Sequence, residues 1–127
     1  MSTPFIFITT LGVPAEHWGA ARESVARYSA FIAEREPRML AFSAAFDAAR
    51  REVALVHVLA DAESADAHLP IAHEHIGAGL RLAETRRIEV FGEPGPGIEG
   101  LLRVNAAQGV DVQGSEDLVG GFVRHAA

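Results

Sequence analysis

Val53-Ala-Leu-Val-His-Val-Leu-Ala60, running without a break into Asp61-Ala-Glu-Ser-Ala-Asp-Ala-His-Leu69, is the stretch whose reading decides the fold. In the first eight residues Val53, Leu55, His57 and Leu59 alternate with Ala54, Val56, Val58 and Ala60, so an extended strand here is apolar on both faces. The β-branched residues and the polar start of the next segment favour a strand over a buried helix. Asp61 can accept the first unpaired N–H groups of a helix, and Glu63 adds negative charge at its positive end. The joint is a buried strand followed by a capped helix.

Working outward, Phe5 to Leu11 is a first strand, with Phe5, Phe7, Thr9 and Leu11 on one face and Ile6, Ile8 and Thr10 on the other. From Pro14 the pattern turns helical, and Trp18, Ala21, Val25, Tyr28 and Ile32 form one apolar stripe that Pro37 closes. Met39 to Phe46 is a second strand, with Leu40, Phe42, Ala44 and Phe46 on one face. The polar Asp47 to Glu52 forms a hairpin back into the Val53 strand. Downstream, Pro70, Gly77 and Gly79 predict a kinked or two-part helical segment out to about residue 83. Arg87 to Phe91 is a short strand, and Glu93-Pro-Gly-Pro-Gly97 ends a core unit of residues 4–92. Residues 93–127 form a C-terminal extension of the same domain, with a helix from Ile98, a cap at Gly109, a short strand near Val110 to Gln113 and Phe122 as an anchor, docking with Ile98, Leu101 and Leu102 on the body of its own or the partner subunit.

The order strand–helix–strand–strand–helix–strand is a ferredoxin-like α+β arrangement, an antiparallel sheet with its helices on one face. The first strands are apolar on both faces, so the uncovered face needs a partner, and a second copy of the same sheet is the simplest one. The chain of 127 residues has no cysteine, which excludes disulfides, thiolate metal sites and a Cys nucleophile. All its basic residues are arginines, 11 against 17 acidic residues, and the net charge of −6 argues against nucleic acid and anionic membranes as partners. Neither a membrane span nor a basic leader is visible, which predicts a cytoplasmic protein.

Four segments carry a resemblance to a known family: Glu36-Pro-Arg-Met-Leu-Ala-Phe42, Asp61-Ala-Glu-Ser-Ala-Asp-Ala-His68, Arg87-Ile-Glu-Val-Phe-Gly-Glu-Pro94 and Gly121-Phe-Val-Arg124. Together they resemble the antibiotic-biosynthesis-monooxygenase-like branch of the dimeric α+β barrel superfamily. The His-Pro-Asp that usually precedes the second helix there is reduced to Asp61, after Leu59 and Ala60. The resemblance implies a homodimeric barrel joined through the sheet face. It also implies cofactor-independent oxygenation of a phenolic, quinol or anthrone-type substrate in a cleft between sheet and helices, with no cofactor and no metal. Haem degradation, another activity of such relatives, is excluded by Thr9 and Thr10 where an Asn is needed and by His68 and Ala78 where a Trp and a His are needed. A non-catalytic small-molecule-binding or accessory protein of the same fold is the alternative.

His68 is the leading candidate catalytic residue. On the helix after Asp61, Ala65, Leu69, Ala72 and Ile76 form the core stripe, and Ser64, His68 and His75 lie along its edge, where an imidazole could line a cleft and take a proton from a phenol. His57, a second catalytic candidate, interrupts an apolar strand and faces either the helices or the dimer interface; as a hydrogen-bonded core residue it would need no function. Thr9, Trp18, Tyr28, Phe42 and His75 are candidate substrate-binding residues, with Trp18 and Tyr28 core residues first and pocket walls second. His68, His73 and His75 have the wrong helical spacing to share one metal. Ser64 reads as a first-turn residue rather than a nucleophile.

Overall fold

The structure is a computed structural model that describes residues 3–79 and 81–124, with only the backbone described at residues 73–79. Its elements are β1 (Phe5–Gly12), α1 (Trp18–Arg35), β2 (Met39–Asp47), β3 (Glu52–Leu59), α2 (Ala62–Gly79), β4 (Glu84–Phe91), α3 (Pro96–Ala107) and β5 (Asp111–Ser115), with a 3₁₀ turn over Ala15–His17 leading into α1. The strands form one sheet in the order β2-β3-β1-β4-β5. The first four are antiparallel neighbours in the ferredoxin-like order, and β5 adds parallel to β4. The sheet is open. Among the described residues no helix is long and apolar enough to cross a membrane.

β1 and β3 occupy the middle of the sheet because they are the most apolar on both faces. In register, Phe5 faces Leu59, Phe7 faces His57, Thr9 faces Leu55 and Leu11 faces Val53. Phe5, Phe7, Val53, Leu55, His57, Leu59, Ile88 and Val90 are buried beneath the helices. Ile6, Ile8, Val56 and Val58 face the opposite side and stay partly exposed. Of the two apolar faces that alternation gives β1 and β3, the uncovered one is therefore that of Ile6, Ile8, Val56 and Val58.

Three expectations about the core change. Leu40 does not share a face with Phe42, because a bulge at Met39–Ala41 turns Met39 into the core and leaves Leu40 37% exposed. Pro70 does not divide α2, which is one helix of 18 residues with Pro70 inside it on the exposed side. The fourth strand begins three residues earlier than expected, at Glu84, and its polar side carries an Arg87–Glu89 pair at 3.1 Å on the uncovered face.

The C-terminal extension joins the core through a cap supplied from outside its own helix. The Asp66 carboxylate on α2 accepts the Ile98 N–H at 2.8 Å, satisfying one of the free donors at the start of α3. The approach is so close that a Cβ at Gly95 or Gly97 would collide with the Asp66 carboxylate, which is a physical reason for glycine at both positions. Ile98 is then completely buried, with Leu101 and Leu102 packed on the same cluster as Phe5 and Val90. Gly109 closes α3 with a φ of 89°, as its position in the sequence leads one to expect. Phe122 does not anchor onto the described body; it is 59% exposed, with Arg124 stacked over its ring.

Replacing Asp66 by Ala should destabilise the protein by about 0.5–2 kcal/mol. The check is a urea titration, and Gly95→Ala or Gly97→Ala should show a loss of the same kind. An Asp66→Ala protein as stable as the parent would show that Asp66 does not hold α3 in place.

Candidate active site

Four ionisable side chains meet beneath the helices at the centre of the sheet. Tyr28 comes from the inward stripe of α1, Glu36 from the residue that ends it, His57 from β3 and His68 from the middle of α2. They are 9%, 6%, 3% and 2% exposed, respectively. Tyr28, Ile32 and Glu36 succeed one another at steps of four, so α1 lays all three along one side. Pro37 blocks further helix, and Glu36 leaves the last turn with its N–H still bonded to the Ile32 carbonyl at 2.9 Å.

The groups form a continuous hydrogen-bonded chain. His68 Nδ1 lies 2.6 and 2.7 Å from the two Glu36 carboxylate oxygens, so it carries a proton and donates it. His68 Nε2 lies 3.2 Å from the Tyr28 hydroxyl, which is 3.5 Å from His57 Nε2. His57 Nδ1 donates to the Phe7 carbonyl at 3.4 Å, since a carbonyl can only accept, leaving Nε2 of the neutral ring as an acceptor. Tyr28 has one proton for two ring nitrogens. If it donates to His68, both rings are neutral. If it donates to His57, pairing is complete once His68 is doubly protonated against Glu36. The two patterns differ by a single proton, and Tyr28 is the group that links them.

Apolar packing sets the electrostatics. The His57 ring stacks on Phe7 at 4.1 Å between centroids and 6° between planes, and Phe42 meets both Tyr28 and His57 edge-on. Burial, and then the neighbouring His68, lower the His57 pKa to about 3. Burial, with the Glu36 charge as a second cause, raises Tyr28 above the ordinary phenol range. At the start of α2, the Ser64 hydroxyl and N–H bond to Asp61 at 2.7 and 2.8 Å and hold its carboxyl below the usual range. The expected cap is present, and Ser64 also accepts from Arg38 Nε at 3.0 Å.

The structure therefore brings together His57, His68, Tyr28 and Phe42, and separates the other candidates. His68 lies within the buried face of α2, between Ser64, Ala65 and Ala72, rather than at its edge. His57 points under the helices. Thr9 is on the same sheet face, paired between Leu55 and Ile88 and partly buried. Trp18 packs on Phe46 and Arg51 at the far end of the sheet, away from the cluster. The His75 side chain lies outside the described residues. Glu36 was not foreseen: a charged residue before a proline looks like a helix-ending surface residue, and no spacing in the sequence links it to His68, 32 positions on.

A pocket of about 70 Å³ opens at the Glu36–His68 end, with Met39, Leu59 and Ile71 among its walls. The larger cleft, about 410 Å³, lies elsewhere, between the end of β1 and the start of β4.

No protein-family model matches the sequence, and no curated protein matches it. Solved structures do. MupZ from Pseudomonas fluorescens is 22% identical, with a TM-score of 0.73 over 98% of this chain and 91% of its own. SnoaB from Streptomyces nogalater, a cofactor-independent oxygenase solved in a mutant form, is 18% identical, with a TM-score of 0.62 over 72% of this chain and 94% of its own. A proposed antibiotic biosynthesis monooxygenase from Deinococcus radiodurans is 18% identical, with a TM-score of 0.61 over 72% of this chain and 93% of its own. The chain shares the ferredoxin-like α+β fold of these proteins.

The depressed His57 pKa has a consequence for stability. The unfolded chain binds a proton near pH 6.5 that the folded chain excludes until about pH 3. This contribution to stability is complete above pH 6.5 and is lost as the pH falls toward 3, by about 1.4 kcal/mol per pH unit at most. His57→Phe should keep the ring stack, lower stability at neutral pH and flatten the acid slope between pH 6 and 4. Urea midpoints at several pH values would show it; an unchanged slope would mean that His57 is not the group being titrated.

Proposed function

We propose that this protein is a small-molecule enzyme that begins with proton abstraction, of the cofactor-independent oxygenase type, acting on a phenolic, quinol or anthrone-type substrate with His68 as the base. One observation carries the reading: Glu36 holds His68 Nδ1–H, which leaves Nε2 directed at a phenol oxygen 3.2 Å away. That phenol is Tyr28. A substrate hydroxyl either takes its place or delivers its proton through it. His57, neutral because it is buried, lies on the other side of Tyr28 and can accept the Tyr28 proton only after His68 Nε2 has taken up one of its own, and Phe42 walls both rings. Removal of the phenolic proton leaves an electron-rich anion, the form in which such a substrate can give an electron to oxygen without a cofactor. The SnoaB likeness supports this reading as an analogy of fold.

A non-catalytic ligand-binding or accessory role is the second reading, and the pocket size favours it. About 70 Å³ at Glu36 and His68 is well below the roughly 300–1,000 Å³ of ordinary small-molecule sites, and three fused rings do not fit without movement of the walls. The two readings separate in an oxygen electrode. With a reactive hydroquinone or anthrone, the enzyme reading expects oxygen uptake, a loss of about 10²-fold or more in kcat/KM for His68→Ala, and a comparable loss for Glu36→Gln. Absence of turnover across a panel of such compounds, together with binding of one of them, would establish the second reading.

We also propose that the chain is a homodimer through the uncovered sheet face. Ile6, Ile8, Val56 and Val58 stand there with no helix above them. Each is already partly buried within the subunit, so covering it adds a fraction of the roughly 1.5–3 kcal/mol of full burial, and a two-fold partner presents the same row in return. Sedimentation at micromolar concentration should give twice the 13.5 kDa chain mass, or a multiple of that. A single 13.5 kDa species would overturn the dimer.

A further inference from the structure

Two irregularities of the backbone, far apart in sequence, deliver arginines to the same place. At the β2–β3 hairpin Arg51 has a φ of 55°, a conformation that favours glycine over a residue with a side chain. Its carbonyl accepts the Val13 N–H at 2.8 Å, and its guanidinium lies 6.0 Å from the Trp18 ring. In β4 the register with β1 slips: Thr10 faces Arg87 and Leu11 faces Thr85, so Arg86 is the extra residue of a bulge. Its side chain lies across Gly12, where a Cβ would collide with the guanidinium, and bonds to Glu52 at 3.2 Å and to the Arg50 carbonyl at 3.3 Å. Arg51 and Arg86 both line the cleft of about 410 Å³. Arg81 and His17 line it as well, Glu84 is the one carboxylate among the described lining residues, and Val13, Pro14, Leu82 and Ala83 supply an apolar lining.

We propose that this cleft binds an amphipathic oxyanion, a small molecule with one carboxylate or phosphoryl headgroup on a short apolar body. In a chain of net charge −6, a concentration of guanidinium groups around one cavity runs against the overall charge. The Glu52 contact leaves Arg86 oriented but partly neutralised, whereas Arg51 lies against the ring face of Trp18 and pairs with no carboxylate among the described residues. A guanidinium fork held in place, as that of Arg86 is, suits the two oxygens of a carboxylate or phosphoryl group. Val13 and Leu82 provide the surface on which an alkyl or aryl body would rest. The volume lies within the range of ordinary small-molecule sites. The cleft lies apart from the Tyr28–Glu36–His57–His68 cluster and shares no lining residue with the smaller pocket. The site is therefore independent of the proposed turnover chemistry.

Trp18 is the only tryptophan in the sequence and stacks beneath Arg51, so its fluorescence reports on the site directly. The full chain is titrated at low salt with octanoate, octyl phosphate and acetate. Saturable binding of the eight-carbon probes is expected, about tenfold or more tighter than acetate because the apolar body is buried. The order of octanoate and octyl phosphate identifies the headgroup, and either order supports the site. Arg51→Gly should weaken binding about tenfold or more while holding or raising the melting temperature, since glycine accepts the left-handed conformation freely. Gly12→Ala retains every charge but displaces Arg86, and should also weaken binding. A linear, non-saturating response, or wild-type affinity in a folded Arg51→Gly protein, would overturn the proposal. The readout is binding alone, so a failure here leaves the oxygen-uptake experiment untouched, and the converse also holds.

Discussion

The contact between the Glu36 carboxylate and the His68 imidazole is the constraint around which the interior is arranged. A buried carboxylate without a partner would cost several kcal/mol in lost hydration, and a hydrogen-bonded imidazole at 2.6 Å offsets much of that. The contact requires α1 to end at one particular residue and α2 to lie close enough for a single side chain to span the gap. Pro37 provides the first condition. Ala65 and Ala72, both fully buried, provide the second, because small side chains on the inner face of α2 let it settle low on the sheet. Once the pair is in place, Tyr28 and His57 have polar partners in an otherwise apolar interior, which buried hydroxyl and ring nitrogen atoms require. Among the described residues no buried side-chain nitrogen or oxygen is left without a hydrogen-bond partner.

The sheet divides the remaining work between its faces. Phe5, Phe7, Leu55, Leu59 and His57 go under the helices, where the polar cluster is shielded from water. The β-branched row of Ile6, Ile8, Val56 and Val58 goes to the side with no helix, and its composition suits contact with another flat apolar surface. At the end of the sheet beyond Gly12, neither helices nor apolar strands dominate. There the hairpin and the β4 bulge bring Arg51 and Arg86 around an open cleft. One layer of helices on one sheet thus yields a closed polar cluster, an apolar face and a charged cleft, each in a different solvent environment.

What the sequence by itself determined is the set of elements and their order. Strand periodicity at Phe5–Leu11 and Val53–Leu59, the apolar stripe of α1, the Asp61 cap and the closing residue Gly109 all depend on neighbours within a few positions, and local spacing expresses such dependence directly. Local signals also misled in places. Pro70 signalled a break that the exposed side of α2 tolerates, and the bulge at Met39–Ala41 reversed the facing of Leu40, because neither effect can be seen without knowing what lies opposite. Only the tertiary structure decided which face His57 occupies, that His68 is interior, and that Glu36 is its partner. Alternation is symmetric and cannot tell one side of a sheet from the other until helices cover one of them. A contact across 32 residues likewise depends on how two helices lie on the sheet, which no spacing along the chain records.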